Sequence, residues 1–187
     1  MLTGASQAAK VAAAVLNPKN FKKSLLDVEV EDKVACPRYS GITISNVKMG
    51  PSPDWMQKYL NAIDVRPINV IVDITNFVLH EMGQPLHAFD ADKIPSKKIV
   101  VKKLAEGTEF KALDESTRKL NADDLMICDG DGNGLCIAGV FGGLESGVTD
   151  ETANIFLESA HFNAGNIRRT STRHLLRTDA AKVYEKG

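Results

Sequence analysis

RPINVIVDITNFVLHEMGQPLHAFD, residues 66–90, joins a helix to extended chain through a single sharp break. Ile68, Ile71, Val72, Thr75, Val78, Leu79 and Met82 recur on one side of a 3.6-residue period, the mark of a helix packed on a core. Pro67 suits the start of that helix and Gly83 its C-terminal cap. Pro85 forbids continuation, so QPLHAFD runs on as extended chain. Asn69, Asp73, Asn76 and His80 fall on a second stripe, expected to face solvent. Arg66 and His87 bracket the whole, either as a surface cation and a packed imidazole or as members of one site.

Upstream, RYSGITISNVK (38–48) alternates apolar residues at Ile42 and Ile44, a strand signal. Ser52-Pro53 then offers an N-cap and a first-turn proline. Trp55, Met56, Tyr59, Leu60 and Ile63 follow at helical spacing. Downstream, KKIVVKKL reads as a strand, and TEFKAL and TRKLNA form a hairpin about Asp114-Glu115-Ser116. DLMIC and LCIAGVF form another about DGDGNG. ANIFLESA is a further strand, and NIRRTSTRHLL and TDAAKVYEK are helical segments. Strands in hairpins with helices grouped at either end predict an α+β fold. Mostly antiparallel, sandwich-like sheets with packed helices are expected.

The totals set the frame. A chain of 187 residues fits one domain or two small ones sharing a core. With 43% hydrophobic and 25% charged residues it has the composition of a soluble globular protein. A formal net charge of −1 leaves any nucleic-acid surface to local clustering. Cys36, Cys128 and Cys136 form no C-x-x-C pair, which predicts reduced thiols and a cytoplasmic location. The Ala-rich opening MLTGASQAAKVAAAVLNPKNF lacks a charged n-region, and its apolar runs fall short of the roughly 18 residues a membrane helix needs. It is expected to be a helix or tether leading into the domain. With VYEKG breaking off in helical pattern, both ends are expected to be cuts through a longer chain.

Several chemical motifs start and fail. DGDGNG (129–134) has the front half of a calcium loop, but its twelfth position is Val140 instead of a bidentate glutamate. His80-Glu81 lacks the second histidine of a zinc-protease helix, since Gln84 stands there. Glu158-x-x-His161 has metal-helix spacing but lies in a strand pattern. No G-x-S-x-G elbow or phosphate-binding G-x-x-x-x-G-K-[ST] loop occurs. No metal site is expected. What survives is Arg66, His87, the Gly142-Gly143 pair, Glu158 at the end of an apolar strand, and Thr178-Asp179 opening the last helix.

The stretch 66–90 resembles the signature of the B3/B4 region in the β subunit of bacterial phenylalanyl-tRNA synthetase. IAGVFGGLESGVTDET, IFLESAHFN and RRTSTRHLLRTDAAKVYEKG are similar to the same region in the same order. The resemblance covers about residues 34–187 as the editing domain and leaves 1–33 as a connection from preceding domains. Val70 and Phe77 are small departures that alter packing character.

The resemblance implies post-transfer editing, the hydrolysis of tyrosine wrongly esterified to tRNA(Phe). Such a site has a physical purpose, because an apolar pocket rejects an added hydroxyl by only roughly 10²-fold. By the same matching, Glu158 is the expected partner of the tyrosine hydroxyl, and Gly142, Thr178 and Ala180 line the substrate pocket. His87 is expected near the scissile ester, orienting water or ribose, with Arg66 on a phosphate or the pocket. No protein nucleophile is implied, since an aminoacyl ester is already activated. Arg168, Arg169, Arg173 and Arg177 crowd ten residues with no acid among them, as tRNA phosphate contacts would. The implied partners are the 3′ end of tRNA(Phe) carrying tyrosine and the α subunit of the full synthetase. No cofactor is expected here, ATP and magnesium belonging to the aminoacylation centre elsewhere. The alternative is a non-catalytic module that holds tRNA or braces subunit contacts.

Overall fold

The structure, a computed structural model, describes residues 24–186. The helix or tether expected at the N-terminus falls chiefly on residues 1–23, outside that range. Within the same expected connection, β1 (Asp27–Val30) is a strand that pairs in parallel with β4 (Lys98–Lys103). β4 continues antiparallel to β7 (Leu125–Asp129), β7 to β8 (Gly134–Ile137), and β8 to the short β9 (Phe141–Gly142). These make a five-stranded sheet in the order β1-β4-β7-β8-β9.

A second sheet of three strands has β10 (Asn154–His161) between β2 (Arg38–Ser45) and β3 (Leu86–Asp90). Both pairings are antiparallel. β5 (Glu109–Lys111) and β6 (Thr117–Lys119) form a small hairpin of their own. With four helices among the described residues and sheets that are antiparallel apart from β1–β4, the fold is α+β.

One buried cluster draws on both larger sheets. Ile99, Val101, Ile127 and Ile137 come from the first, and Phe89 and Phe156 from the second. Ile167, Ala181 and Tyr184 join them from the C-terminal helices α3 (Ala164–Arg173) and α4 (Asp179–Lys186). β7 is buried at every position, so its continuous apolar run reflects cover on both faces.

The two N-terminal helices correct three sequence-based expectations. α1 (Asp54–Ala62) is capped at Pro53 without a side-chain hydrogen bond. Ser52, expected to be that cap, instead donates its hydroxyl to Asp73 at 2.5 Å. α2 (Val70–Met82) starts three residues after Pro67, with the Asn69 side-chain oxygen Oδ1 accepting from the N–H groups of Ile71 and Val72. Asp73, placed on the solvent stripe by its spacing, is 1% exposed and also accepts from the Ile68 N–H. It ties the start of α2 to the segment before α1. Gly83 ends α2 in the left-handed region at φ 69°, as its position predicts.

Candidate active site

Gly83 and Pro85 stop α2 so abruptly that β3 begins at Leu86, which fixes the parity of every side chain after it. His87 and Phe89 then share one face. In the register of β3 with β10, His87 stands directly opposite Glu158, and Phe89 opposite Phe156. Directly opposed residues of an antiparallel pair lie on the same face with their Cβ atoms about 5 Å apart. The edge of the His87 ring meets Phe89, with centroids 4.4 Å apart. On the other side of β10, Glu158 faces Gly41 of β2, and Tyr39 faces Ala160. The Tyr39 hydroxyl reaches diagonally and donates to Glu158 Oε2 at 2.9 Å.

This face floors a cavity of about 260 Å³. His87 and Glu158 line it from the sheet, Gly142 from β9, and Thr178 and Ala180 from the start of α4. A methyl on Gly142 would come within 2.7 Å of Leu113 Cδ1 and 3.0 Å of His87 Cε1, so only glycine leaves the imidazole its place. The Thr178 hydroxyl donates to the Val140 carbonyl at 2.9 Å and accepts from the Ala181 N–H at 3.2 Å. It therefore caps α4 and ties it to the turn before β9, which places Ala180 at the wall. Tyr184 closes the back, donating to the Ala160 carbonyl at 3.1 Å.

Burial sets the charge state of the floor. It pushes Glu158, 3% exposed, up to about 8, against the Tyr39 hydrogen bond, which favours the carboxylate. It pushes His87 down to about 4. At neutral pH the cavity floor thus presents a protonated acid beside a neutral imidazole. The acid can both donate and accept a hydrogen bond, and the imidazole can accept a proton from water. Glu158 Oε1 has no protein partner among the described residues, so it is the oxygen left for a ligand.

Five of the sequence-derived residues thus meet at one cavity, and Arg66 does not. It is exposed in the loop ahead of α2 and absent from the lining, so Arg66 and His87 do not share this pocket. The basic cluster also divides. Arg168, Arg169 and Arg177 are exposed, whereas Arg173 is ion-paired to the buried Asp124. Asp124 also accepts from Thr170 at 3.0 Å and from the Asn121 N–H at 2.8 Å, and bonds His174 Nε2 at 2.6 Å. Burial pushes this carboxyl up, but the Asn121 and His174 bonds outweigh that and hold it below its usual range.

Sequence reasoning missed Tyr39. The apolar pair Ile42 and Ile44 drew attention to one face of β2, and Tyr39 lies on the other. That parity was the available signal. Among the described residues no group of histidines, cysteines and acids is arranged to hold a metal. DGDGNG is a hairpin turn in which Asp129 Oδ1 accepts from the Asp131 and Asn133 N–H groups. The three cysteines are buried free thiols, and no described helix is long and apolar enough to cross a membrane.

Residues 35–187 match the family model described as B3/4 domain. A phenylalanine–tRNA ligase beta subunit from Porphyromonas gingivalis is 54% identical over 170 residues, covering 91% of this chain and 21% of the relative. One from Clostridium acetobutylicum is 51% identical over 168 residues, covering 90% and 21%. The chain spans about a fifth of the length of these relatives. Among solved structures, an N-terminal fragment of the phenylalanyl-tRNA synthetase beta subunit from Pyrococcus horikoshii superposes with a TM-score of 0.54. It is 16% identical, covers 74% of this chain and 44% of the fragment, and so speaks to the fold alone.

Proposed function

The chain belongs to the B3/4 domain family, and from that premise we propose that its cavity is an editing site that hydrolyses tyrosine esterified to tRNA(Phe). The observation that carries this is the pairing of His87 with Glu158 across β3 and β10 at the floor of a cavity sized for one amino acid. Glu158 is the discriminator. Its free Oε1 meets the phenol of a bound tyrosine, while Tyr39 keeps Oε2 in place from behind.

The protonation state alters how phenylalanine is rejected. An ionised carboxylate left bare would carry a large penalty, but burial keeps Glu158 mostly protonated. Phenylalanine then leaves a neutral acid without its partner, at about 1–3 kcal/mol, or roughly 5- to 150-fold against tyrosine. His87, neutral and half-buried, orients or deprotonates the attacking water. No acyl-enzyme is needed, since the ester is activated and water requires only positioning. Gly142 and Ala180 keep the wall open, and Thr178 holds that wall through its cap of α4. Arg66 and the exposed Arg168, Arg169 and Arg177 act, in this reading, on tRNA phosphates outside the cavity. The full β subunit would work beside the α subunit in the cytoplasm, and this segment would neither bind ATP nor charge tRNA.

The test is single-turnover deacylation of Tyr-tRNA(Phe) and Phe-tRNA(Phe) with protein in excess. Wild type hydrolyses the tyrosyl ester selectively, Glu158→Gln loses the preference, and His87→Ala loses rate on both. If wild type matches the buffer rate while still protecting tRNA, the module binds without catalysing and the editing reading is wrong.

A further inference from the structure

On the opposite face of the three-stranded sheet from the cavity lies a second depression, of about 270 Å³, lined by Arg38, Ser40, Gln84, Ser159, Ala160 and His161. The β2–β10 register explains who meets there. Arg38 stands directly opposite His161, and Ser40 directly opposite Ser159. Residues two apart share a face, so all four side chains emerge together, on the parity that excludes Tyr39 and Glu158.

None of the four has a side-chain hydrogen bond or ion pair in the described structure, and no carboxylate lines the groove. Arg38 thus presents an unpaired guanidinium directly opposite an imidazole that can donate a second hydrogen bond to the same ligand. Gln84 adds a different chemistry. Its amide nitrogen donates to the Pro85 carbonyl at 3.0 Å and the Ala160 carbonyl at 3.2 Å. The amide is thereby held in one orientation, and its oxygen is the polar atom left for a ligand.

The groove thus offers an oxyanion site and, beside it, hydroxyls and an amide acceptor. A free inorganic anion would satisfy the first part alone. A ribose-phosphate backbone satisfies both, with phosphate oxygens on Arg38 and His161 and a 2′-hydroxyl donating to Gln84. We propose that this groove is an RNA-backbone site, distinct from the cavity and from the arginines of α3, that grips one phosphodiester and its neighbouring ribose. The choice of RNA as occupant rests on the reading of the cavity as a tRNA editing site; the groove's chemistry does not.

The test uses uncharged tRNA(Phe) and the whole chain, so that binding is read without deacylation. Affinity is measured by fluorescence anisotropy between about 50 and 200 mM salt for wild type, Arg38→Ala, Arg38→Lys, His161→Ala and, as a control cation on β6, Lys119→Ala. Arg38→Ala is expected to weaken binding about tenfold and to lower the salt slope by about one. Arg38→Lys should recover most of the affinity, which also guards against misfolding in the alanine variant, and Lys119→Ala should match wild type. A single-stranded all-deoxy copy of the tRNA 3′ strand should bind more weakly than its ribo version, a gap that closes in a Gln84→Leu variant.

Equal affinity and slope in Arg38→Ala and wild type would overturn the proposal, as would loss equal to that in Lys119→Ala. Competition by millimolar inorganic phosphate as effective as that by the ribo-oligonucleotide would reduce the groove to a free-anion site and reject the RNA assignment. A chain that binds RNA through Arg38 but deacylates nothing would leave this proposal standing and sink the editing reading. The converse result would do the reverse.

Discussion

Glu158 holds a carboxyl group inside the protein at a cost that depends on pH. Its pKa rises on folding from the usual 4.5 to about 8, so the folded state holds its proton more tightly than the unfolded chain. The sign follows directly. Stability is greatest below about pH 4.5, falls as pH rises through the interval, and levels off above about 8. His87, lowered from 6.5 to about 4, acts in the opposite direction, costing stability as pH falls below 6.5. The two overlap between pH 4.5 and 6.5, so the clean readout is a difference between variants. Relative to wild type, Glu158→Gln should gain several kcal/mol between pH 5 and pH 8, at about 1.4 kcal/mol for each tenfold change in proton concentration, measured by urea melts at both values. An unchanged difference would mean that Glu158 is ionised in the folded state. Two substitutions probe its neighbours. Tyr39→Phe frees Oε2, and the rate ratio of tyrosyl over phenylalanyl ester should fall several-fold in single-turnover assays while the fold persists. Gly142→Ala drives a methyl into Leu113 and His87, and should slow both substrates at least tenfold without lowering the melting temperature by more than a few degrees.

At the scale of elements, the walls of the cavity depend on contacts made outside it. The α3–α4 connection carries Thr178 and leads into Ala180 in the first turn of α4, and what anchors it is the carboxyl of Asp124 on the turn before β7. Arg118 reinforces the same joint, donating to the His174 carbonyl at 3.0 Å and to Asp114 at 2.8 Å. Asp124→Asn keeps the shape but removes the charge that Arg173 and His174 share. A loss of about 1–2 kcal/mol is expected in denaturant melts, since the bonds from the Asn121 N–H and Thr170 lose a charged acceptor while the exposed Arg173 returns to water. The same change should raise the substrate concentration needed for half-maximal deacylation, because the wall loosens. The Ser52–Asp73–Ile68 clasp does for α1 and α2 what Asp124 does for α3. Sequence spacing placed Asp73 among solvent-facing residues, because periodicity reports which residues share a stripe and not what another segment lays over it.

For the molecule as a whole, the five-stranded and three-stranded sheets contribute to one buried cluster, so neither is expected to unfold alone. Phe156 is fully buried in that cluster. Its ring lies against the backbone of Gly41, where an added methyl would stand 2.0 Å from Cζ. Phe156→Ala should cost about 3–5 kcal/mol and lower a single transition seen identically by tryptophan fluorescence and far-ultraviolet circular dichroism. Two separated transitions would show instead that the sheets are independent units.

The sequence by itself determined most of the elements and the class of fold, but not strand β1 within the expected connection nor the turn that splits LCIAGVF into β8 and β9. The apolar period of α2, its Gly-Gln-Pro stop, the DGDGNG turn and the strand of Asn154–His161 are local signals, each enforced by backbone chemistry within a few residues. Family resemblance further singled out His87, Gly142, Glu158, Thr178 and Ala180, which the fold then gathers at one cavity. Only the tertiary structure decided that Arg66 stands apart, that Arg173 serves Asp124, that Tyr39 backs Glu158 across 119 residues of chain, and that Glu158 and His87 are both neutral. Those are properties of register and burial. A one-residue change of strand pairing would turn each of these side chains to the opposite face, and desolvation depends on everything that covers a group. Neither quantity is carried by a short window of sequence.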